Sequence, residues 1–259
     1  MSTVDAPDVD LSRPSGARIH DFLLGGNGHY AADREMAGRL LEVYPGLRDV
    51  VREQRAFVLK AAGWTARMKG VRQFLDLGCG LPAVPSVHAT VREASGLATV
   101  AYVDYDPVVA SHLRAALDGA GPGLAAVEAD VSDPEAVLDD KALLEVIDPS
   151  QPVCVILGGT LSGMDADVAR RSVAGFAEAL VPGSCVVISC VSYCDEALAG
   201  RMADLFGGGW RNHGRQEIGS FFAGLRLVRG QAGDVRRWPL LPSACEREAC
   251  VLGGIGIKD

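Results

Sequence analysis

No apolar run in this chain approaches the roughly 20 residues that a membrane-spanning helix requires; the longest, such as Cys185 to Val191, stop well short. A transmembrane anchor is therefore not expected. An amino-terminal targeting segment is not expected either, because Met1 to Pro14 carries three aspartates and two prolines and no apolar core. Positive charge is also in short supply. Lys and Arg number 25 against 33 Asp and Glu, giving a formal net charge of −8, so the basic face that a nucleic-acid backbone demands is not advertised. The chain holds 7 cysteines, yet none stands in C-x-x-C spacing or has a histidine at metal-ligand distance. Buried reduced thiols are expected rather than a zinc site, and no metal is assigned. Internal repeats and low-complexity stretches are missing too. These absences leave a cytoplasmic protein whose partner is a small molecule or another protein, with no nucleic acid and no membrane.

What is present suits a globular chain: 259 residues, 48% hydrophobic and 22% charged, enough for one large domain or two small ones. From Val71 onward, short apolar runs alternate with helical periodicity, the pattern of a parallel sheet covered on both faces. Strands are expected near Val71–Asp76, Thr99–Val103, Leu124–Glu128, Pro152–Leu157 and Cys185–Cys190. The helices between them are expected at Val84–Ala94, Pro107–Leu117, Pro134–Leu144 and Asp165–Leu180, with Asp106 and Asp133 as caps and Pro182-Gly183 as a stop. A helix near Glu196–Phe206, the loop Gly207-Gly208-Gly209 and late strands near Leu225–Arg229 and Glu248–Ile257 follow, the last weakened by Gly253, Gly254 and Gly256. Ahead of the sheet the pattern gives helices at Ala31–Val43 and Leu47–Met68, broken by Pro45-Gly46. The division is a disordered tail over residues 1–13 (Met1 to Leu11 at its core), a helical lid over 14–70 and the sheet domain over 71–259.

The most informative stretch is Phe74 to Val84, where an apolar run ends in Asp76 and then in Gly78 and Gly80. The two glycines allow a sharp strand-to-helix turn and close approach of a ligand. A dinucleotide pyrophosphate needs free N–H groups and the positive end of a helix, and a carboxylate at the mouth of the turn would repel it. A cation is favoured instead, and S-adenosylmethionine carries both an ammonium and a sulfonium. The third glycine of G-x-G-x-x-G is also replaced by Ala83. Cys79 reads as a small neutral filler, with no His or Asn beside it to make it a nucleophile.

Ligands of open parallel sheets bind outside the carboxyl ends of the strands, and here three successive strands each end in an acid. Asp76 follows the first. Asp104 follows the second, where a carboxylate can accept both ribose hydroxyls, and Asp106 just beyond it doubles as a helix cap. Asp130 follows the third, placed to accept from an exocyclic amine while the Val131 N–H donates to a ring nitrogen. Together they would hold an adenosine.

This series resembles that of class I S-adenosylmethionine-dependent methyltransferases. From Pro14 to about Trp238 the chain is similar to an actinobacterial family of such proteins, formerly a domain of unknown function. The resemblance is carried by Arg18-Ile19-His20-Asp21-Phe22-Leu23-Leu24-Gly25-Gly26 and His29-Tyr30-Ala31-Ala32-Asp33-Arg34. Further matches are Gln73-Phe74-Leu75-Asp76, Gly80-Leu81-Pro82, Tyr102-Val103-Asp104, Asp106-Pro107-Val108-Val109 and Phe221-Phe222-x-Gly224-Leu225. It implies an α/β fold, a Rossmann-like doubly wound sheet that is mostly parallel with an antiparallel last strand, under an amino-terminal helical cap. It also implies S-adenosylmethionine as cofactor and a methyltransferase activity.

On this reading residues 14–70 act as a lid. Gly25, Gly26 and Gly28 give a flexible turn, Tyr30 faces the sulfonium or packs on adenine, and Arg18 binds the cofactor carboxylate. A blander reading leaves Arg18 and Arg34 in solvent and makes Tyr30 a helix-start staple. Gly158, at the end of the fourth strand, is counted with the cofactor site. Candidates near the reacting centre are His29, Tyr30 and Ser162, with Thr160 and Tyr193. His29 alone has an ordinary pKa suited to proton removal at neutral pH. His88 is expected on the helix after the glycine loop and His213 in a surface loop.

The chain departs from the family at Gly158-Gly159-Thr160-Leu161-Ser162-Gly163-Met164, where a histidine and an aromatic usually stand, and at Gly25-Gly26-Asn27-Gly28, which lacks a basic residue. Three functions follow: methyl transfer to a small-molecule acceptor, intramolecular ring closure of the same cofactor with loss of methylthioadenosine, and a cofactor-sensing regulatory protein. A homodimer is the one assembly entertained.

Overall fold

The computed structural model describes residues 10–207, 209–239 and 247–259. Most of the expected tail, together with Gly208 and Cys245, lies outside them. Apolar runs too short for helices form one eight-stranded sheet: β1 (Gln73–Leu77), β2 (Thr99–Asp104), β3 (Leu124–Glu128), β4 (Val153–Gly158), β5 (Cys185–Tyr193), β6 (Arg226–Leu227), β7 (Gly233–Asp234) and β8 (Ala249–Ile257). The order is β3-β2-β1-β4-β5-β8-β6, with β7 also on β8. β1 to β5 run parallel, while β8 lies antiparallel to β5. The chain winds outward from β1 to β3 and returns beside β1 as β4. That reversal opens a crevice at the carboxyl ends of β1 and β4, the place where such sheets bind ligands.

Helices cover both faces. One apolar core lies under α1 (Gly16–Leu24), α2 (Ala31–Val43), α3 (Leu47–Trp64) and α4 (Val87–Ser95). The other holds residues of α6 (Pro134–Leu138), α7 (Lys141–Leu144), α8 (Ala166–Ala179) and α10 (Arg215–Ser220). α5 (Pro107–Leu117) follows β2, and α9 (Glu196–Leu205) follows β5. The cap helices share the first core with the sheet: Ile19, Leu40 and Phe57 are buried in the same cluster as Phe74 and Ile156.

Several boundaries differ from the sequence reading for local reasons. β1 starts at Gln73 rather than Val71, because α3 continues as a π-helical turn over Thr65–Lys69 and ends at Gly70 with φ +70°. The helix after the glycine loop starts at Val87, where the Ser86 hydroxyl accepts from the Ala89 N–H and caps it. The expected helix Pro134–Leu144 is two, since the Asp140 carboxylate accepts from the Ala142 and Leu143 N–H groups and starts a second. α1 and α10 were not anticipated. His213, expected in a surface loop, is 1% exposed and lies between Glu217 and the carbonyl of Leu161.

The largest correction concerns β8. Its glycines do not interrupt pairing: all nine residues pair with β5, from Ala249 opposite Tyr193 to Ile257 opposite Cys185. The glycines serve close packing instead. A Cβ on Gly253 would stand 2.2 Å from the Ile188 carbonyl oxygen, whereas one on Gly254 would meet nothing nearer than 3.4 Å. Gly253→Ala is therefore expected to cost about 3 kcal/mol or more in urea unfolding, and Gly254→Ala about 1 kcal/mol or less. Equal midpoints for the two variants would contradict this account.

Candidate functional site

The turn after β1 sets the character of the site. Gly78 and Gly80 have φ of +61° and +68°, a region that other residues rarely enter. A Cβ on Gly78 would also lie 2.4 Å from Thr160 Cγ2, while beside Gly80 the nearest neighbour, Ala17 Cβ, is 3.9 Å away. The turn's amides are already used. Gly78 and Cys79 N–H both donate to the Val103 carbonyl at 2.8 and 3.2 Å, and Gly80 N–H donates to Asp104 Oδ2 at 2.9 Å. No anion cradle remains.

Beyond the turn lies a cavity of about 710 Å³, lined at the strand ends by Gly78, Gly80, Asp104, Asp106, Asp130, Val131 and Gly158. Among the described residues no lysine or arginine lines it. Asp104 is buried, and burial raises its carboxyl above the ordinary range while the amides of Asp106 and Gly80 pull it back down. Asp106 caps α5 through the Val108 N–H at 2.9 Å and accepts from the Ser15 hydroxyl at 3.0 Å, which ties the start of α1 to β2. Asp130 is exposed and accepts from the Ser132 N–H.

Asp76 faces a smaller pocket that adjoins the cavity at Cys79 and Gly80 and also holds Arg55, His88 and Tyr102. Burial pushes its carboxyl up to about 6, against the pull of Arg55. Burial and the neighbouring carboxylates push the Cys79 thiol up as well, so it stays protonated. His20 on α1 lines the cavity, and burial followed by Arg55 lowers it to about 4. It makes no hydrogen bond to a described residue.

Arg18, Tyr30 and His29 do not line the cavity. Arg18 is 3% exposed, and its Nε donates to Asp33 Oδ2 at 2.9 Å. Asp33 also accepts from the Ser15 and Tyr30 N–H groups, so it joins α1 to α2. Tyr30 begins α2 with its ring 5.5 Å from the Arg18 guanidinium. His29 Nδ1 is 3.0 Å from Asp21 Oδ2, which also accepts from the Gly28 N–H at 2.8 Å. The glycine turn expected to be flexible is thus gathered onto Asp21: a Cβ on Gly26 would lie 2.0 Å from that carboxylate.

Much of the remaining wall is apolar. Leu23, Leu40, Leu47 and Val51 come from the cap, with Tyr193, Phe206 and Trp210 among the other lining residues. Ser162 is buried in the lining, with its hydroxyl near the Cys190 thiol. Gln54 and His20 escaped the sequence reading. Gln54 interrupts the buried stripe Leu47, Val50, Val51, Phe57 and Val58 of α3, and His20 shares a helical stripe with Ala17 and Leu23. A polar residue inside an apolar stripe was the available signal in both cases.

A family model described as S-adenosyl methyltransferase matches residues 2–259. A solved "putative methyltransferase" from Thermobifida fusca YX is 33% identical, with 100% of both chains covered and a TM-score of 0.85. A DUF574 family protein from Streptomyces avermitilis MA-4680 is 29% identical over 96% of this chain and 99% of its own, with a TM-score of 0.87. Magnesium protoporphyrin IX methyltransferase from Synechocystis PCC 6803, solved with bound SAH, shares the fold at 14% identity and a TM-score of 0.55, over 93% of this chain and 98% of its own. No curated protein matches. Nothing in these likenesses favours ring closure or sensing over methyl transfer.

The two shifted groups give opposite pH slopes. Asp76 rises from 3.8 to about 6 on folding, so the native state binds the extra proton across that window and Asp76's contribution to stability falls as pH rises. His20 drops from 6.5 to about 4, so the unfolded chain binds the extra proton and its contribution rises with pH. Relative to the parent protein, Asp76→Asn should gain on the order of 2 kcal/mol between pH 4 and pH 7, and His20→Gln should lose a similar amount. Urea unfolding at several pH values reads both; parallel curves for the three proteins would refute the assignment.

Proposed function

The chain belongs to the S-adenosyl methyltransferase family, and on that premise we propose that it methylates a small molecule enclosed at the carboxyl ends of its sheet. One observation carries this reading. The strand-end loops of β1 to β4 converge on one cavity that no lysine or arginine among the described residues lines, while the turn amides that would hold a phosphate are bonded within the protein. Such a wall suits a cationic nucleoside and disfavours a dinucleotide.

S-adenosylmethionine, when bound, supplies a methyl group activated on a sulfonium. On this reading Asp104 accepts from the ribose hydroxyls and Asp130 from the adenine amine, with Val131 beside it; all three line the cavity. Asp76 and Arg55 offer one charge of each sign across the small pocket, the complement of an amino-acid end group. Arg55 takes the part the sequence reading gave to Arg18, whose guanidinium is committed to Asp33. Its Nε is buried without a partner among the described residues. Residues of the cap helices line one side of the cavity, where they would shield the aligned groups from water, which alkyl transfer requires more than it requires a strong base. Cys79, Cys154, Cys185 and Cys190 are free thiols, in keeping with a reducing, cytoplasmic setting.

Asp104→Ala is expected to weaken S-adenosylmethionine binding by calorimetry at least about 30-fold, because it removes a charged acceptor. Gly80→Val should abolish binding by forcing a side chain into φ +68°. Both should keep the circular dichroism of the parent, and unchanged affinity in both would sink the cofactor assignment. With cofactor labelled on the methyl group and a fractionated cell lysate, label should appear in the low-mass fraction. Label confined to protein or nucleic acid would overturn the small-molecule acceptor.

A further inference from the structure

Residues along most of α1 line the cavity, and they change character along the way. At its start Ser15 bonds to Asp106, and Ala17 stands beside Gly80. His20 comes one turn later, and Leu23 one turn beyond that, each step advancing about 4.5 Å along the helix. Leu23 then joins Leu40, Leu47 and Val51, which line the cavity from α2 and α3. His20 therefore sits between the acid-lined end and the apolar end.

The apolar end has the makings of a ring-binding site. Tyr193 and Trp210 meet edge to face at 5.2 Å, and Phe206 stacks on Trp210 at 6.5 Å and 28°. Flat ligands gain from such walls through offset and edge contacts. A charged ligand would find no free counter-ion there. Asp165, which also lines the cavity, is paired with Arg211 at 2.5 Å, and an ion left unpaired in an apolar site is costly. Gln54 and His20 both offer acceptors at the junction. Gln54 spends its Nε2 on the Ser189 carbonyl at 3.3 Å, which leaves its own carbonyl oxygen beside Gly159. His20 is neutral at pH 7 with a lone pair to offer, and it is not engaged by any described residue.

Resting on the cofactor reading above, we propose that the acceptor is an uncharged planar aromatic alcohol of the phenol class, its ring against Trp210 and Tyr193 and its O–H donated to the His20 imidazole. This combination also fits a site without fixed charge of its own at the acceptor end: the ligand's one donor meets an open acceptor at the junction, and most of the rest is apolar contact.

Binding tests this without a known substrate. The protein is saturated with S-adenosylhomocysteine, whose own affinity is measured first, and then titrated in a calorimeter with 2-naphthol, its methyl ether 2-methoxynaphthalene, and 2-naphthoate. The alcohol should bind roughly tenfold more tightly than the ether, the worth of one hydrogen bond, and at least 100-fold more tightly than the carboxylate. His20→Leu, or His20→Ala if the larger side chain unfolds the protein, should erase the difference between alcohol and ether. Trp210→Ala should weaken both neutral compounds about tenfold. Carboxylate binding as tight as that of the alcohol, a preference for alcohol over ether that survives at His20 variants, or no binding of either neutral compound overturns the proposal. Failure of S-adenosylhomocysteine itself to bind would instead bring down the cofactor reading.

Discussion

The carbonyl of Val103 and the carboxylate of Asp104 decide what this protein can hold. Between them they take the N–H groups of Gly78, Cys79 and Gly80, the donors that a glycine turn would otherwise point at a phosphate. A turn of the same shape with free amides would be an anion site. With its amides tied to β2, the turn is a rigid neutral floor, and the charge of the cavity is set by the carboxylates around it. The same bond that removes a donor also fixes Asp104, so the loop and its principal acid are ordered together.

The cap depends on the same economy of polar groups. Asp33 is fully buried and accepts from Arg18 and from the amides of Ser15 and Tyr30. Removing either partner of a buried pair of this kind leaves a charge uncompensated, at a cost of about 3–5 kcal/mol. Asp21 performs a parallel service for the turn between α1 and α2. α1 is thereby held at both ends, and the Ser15–Asp106 bond fastens its start to the sheet. Its cavity-facing residues, Ala17, His20 and Leu23, consequently have fixed neighbours.

The sequence announced the sheet clearly, because strands buried on both faces leave apolar runs that need no partner to be recognised. The acids at the strand ends were legible as well: Asp76, Asp104 and Asp130 mark the ends of adjacent parallel strands, so chain order and spatial order coincide. The cap was harder. Arg18, His29 and Tyr30 carry suitable chemistry, but their partners, Asp33 and Asp21, are set by how α1 turns into α2, and no periodicity encodes that. Gln54 and His20 were hidden for the opposite reason. Each is a single polar residue on an otherwise apolar helical stripe, and only the packing of α1 and α3 against the strand ends shows that their stripe faces a cavity. The glycines of β8 were misleading because glycine weakens an exposed strand, yet here Gly253 is needed for a backbone to approach Ile188.

Two unfavourable burials meet at the junction of the site. Asp76 is held above its ordinary range and His20 below its own, each mainly because water has been removed from around it. Neither shift helps the empty protein, and in a marginally stable fold a penalty of this size is kept only where something offsets it. On the proposals made above, a cationic ligand beside Asp76 would add to the counter-charge that Arg55 supplies, and a hydroxyl beside His20 would supply a donor. Each penalty would then be offset by its own ligand. Arg55 links them, since its positive charge favours the ionised form of Asp76 and disfavours the protonated form of His20. One guanidinium thus sets both groups toward the states that a cation on one side and a hydroxyl on the other require.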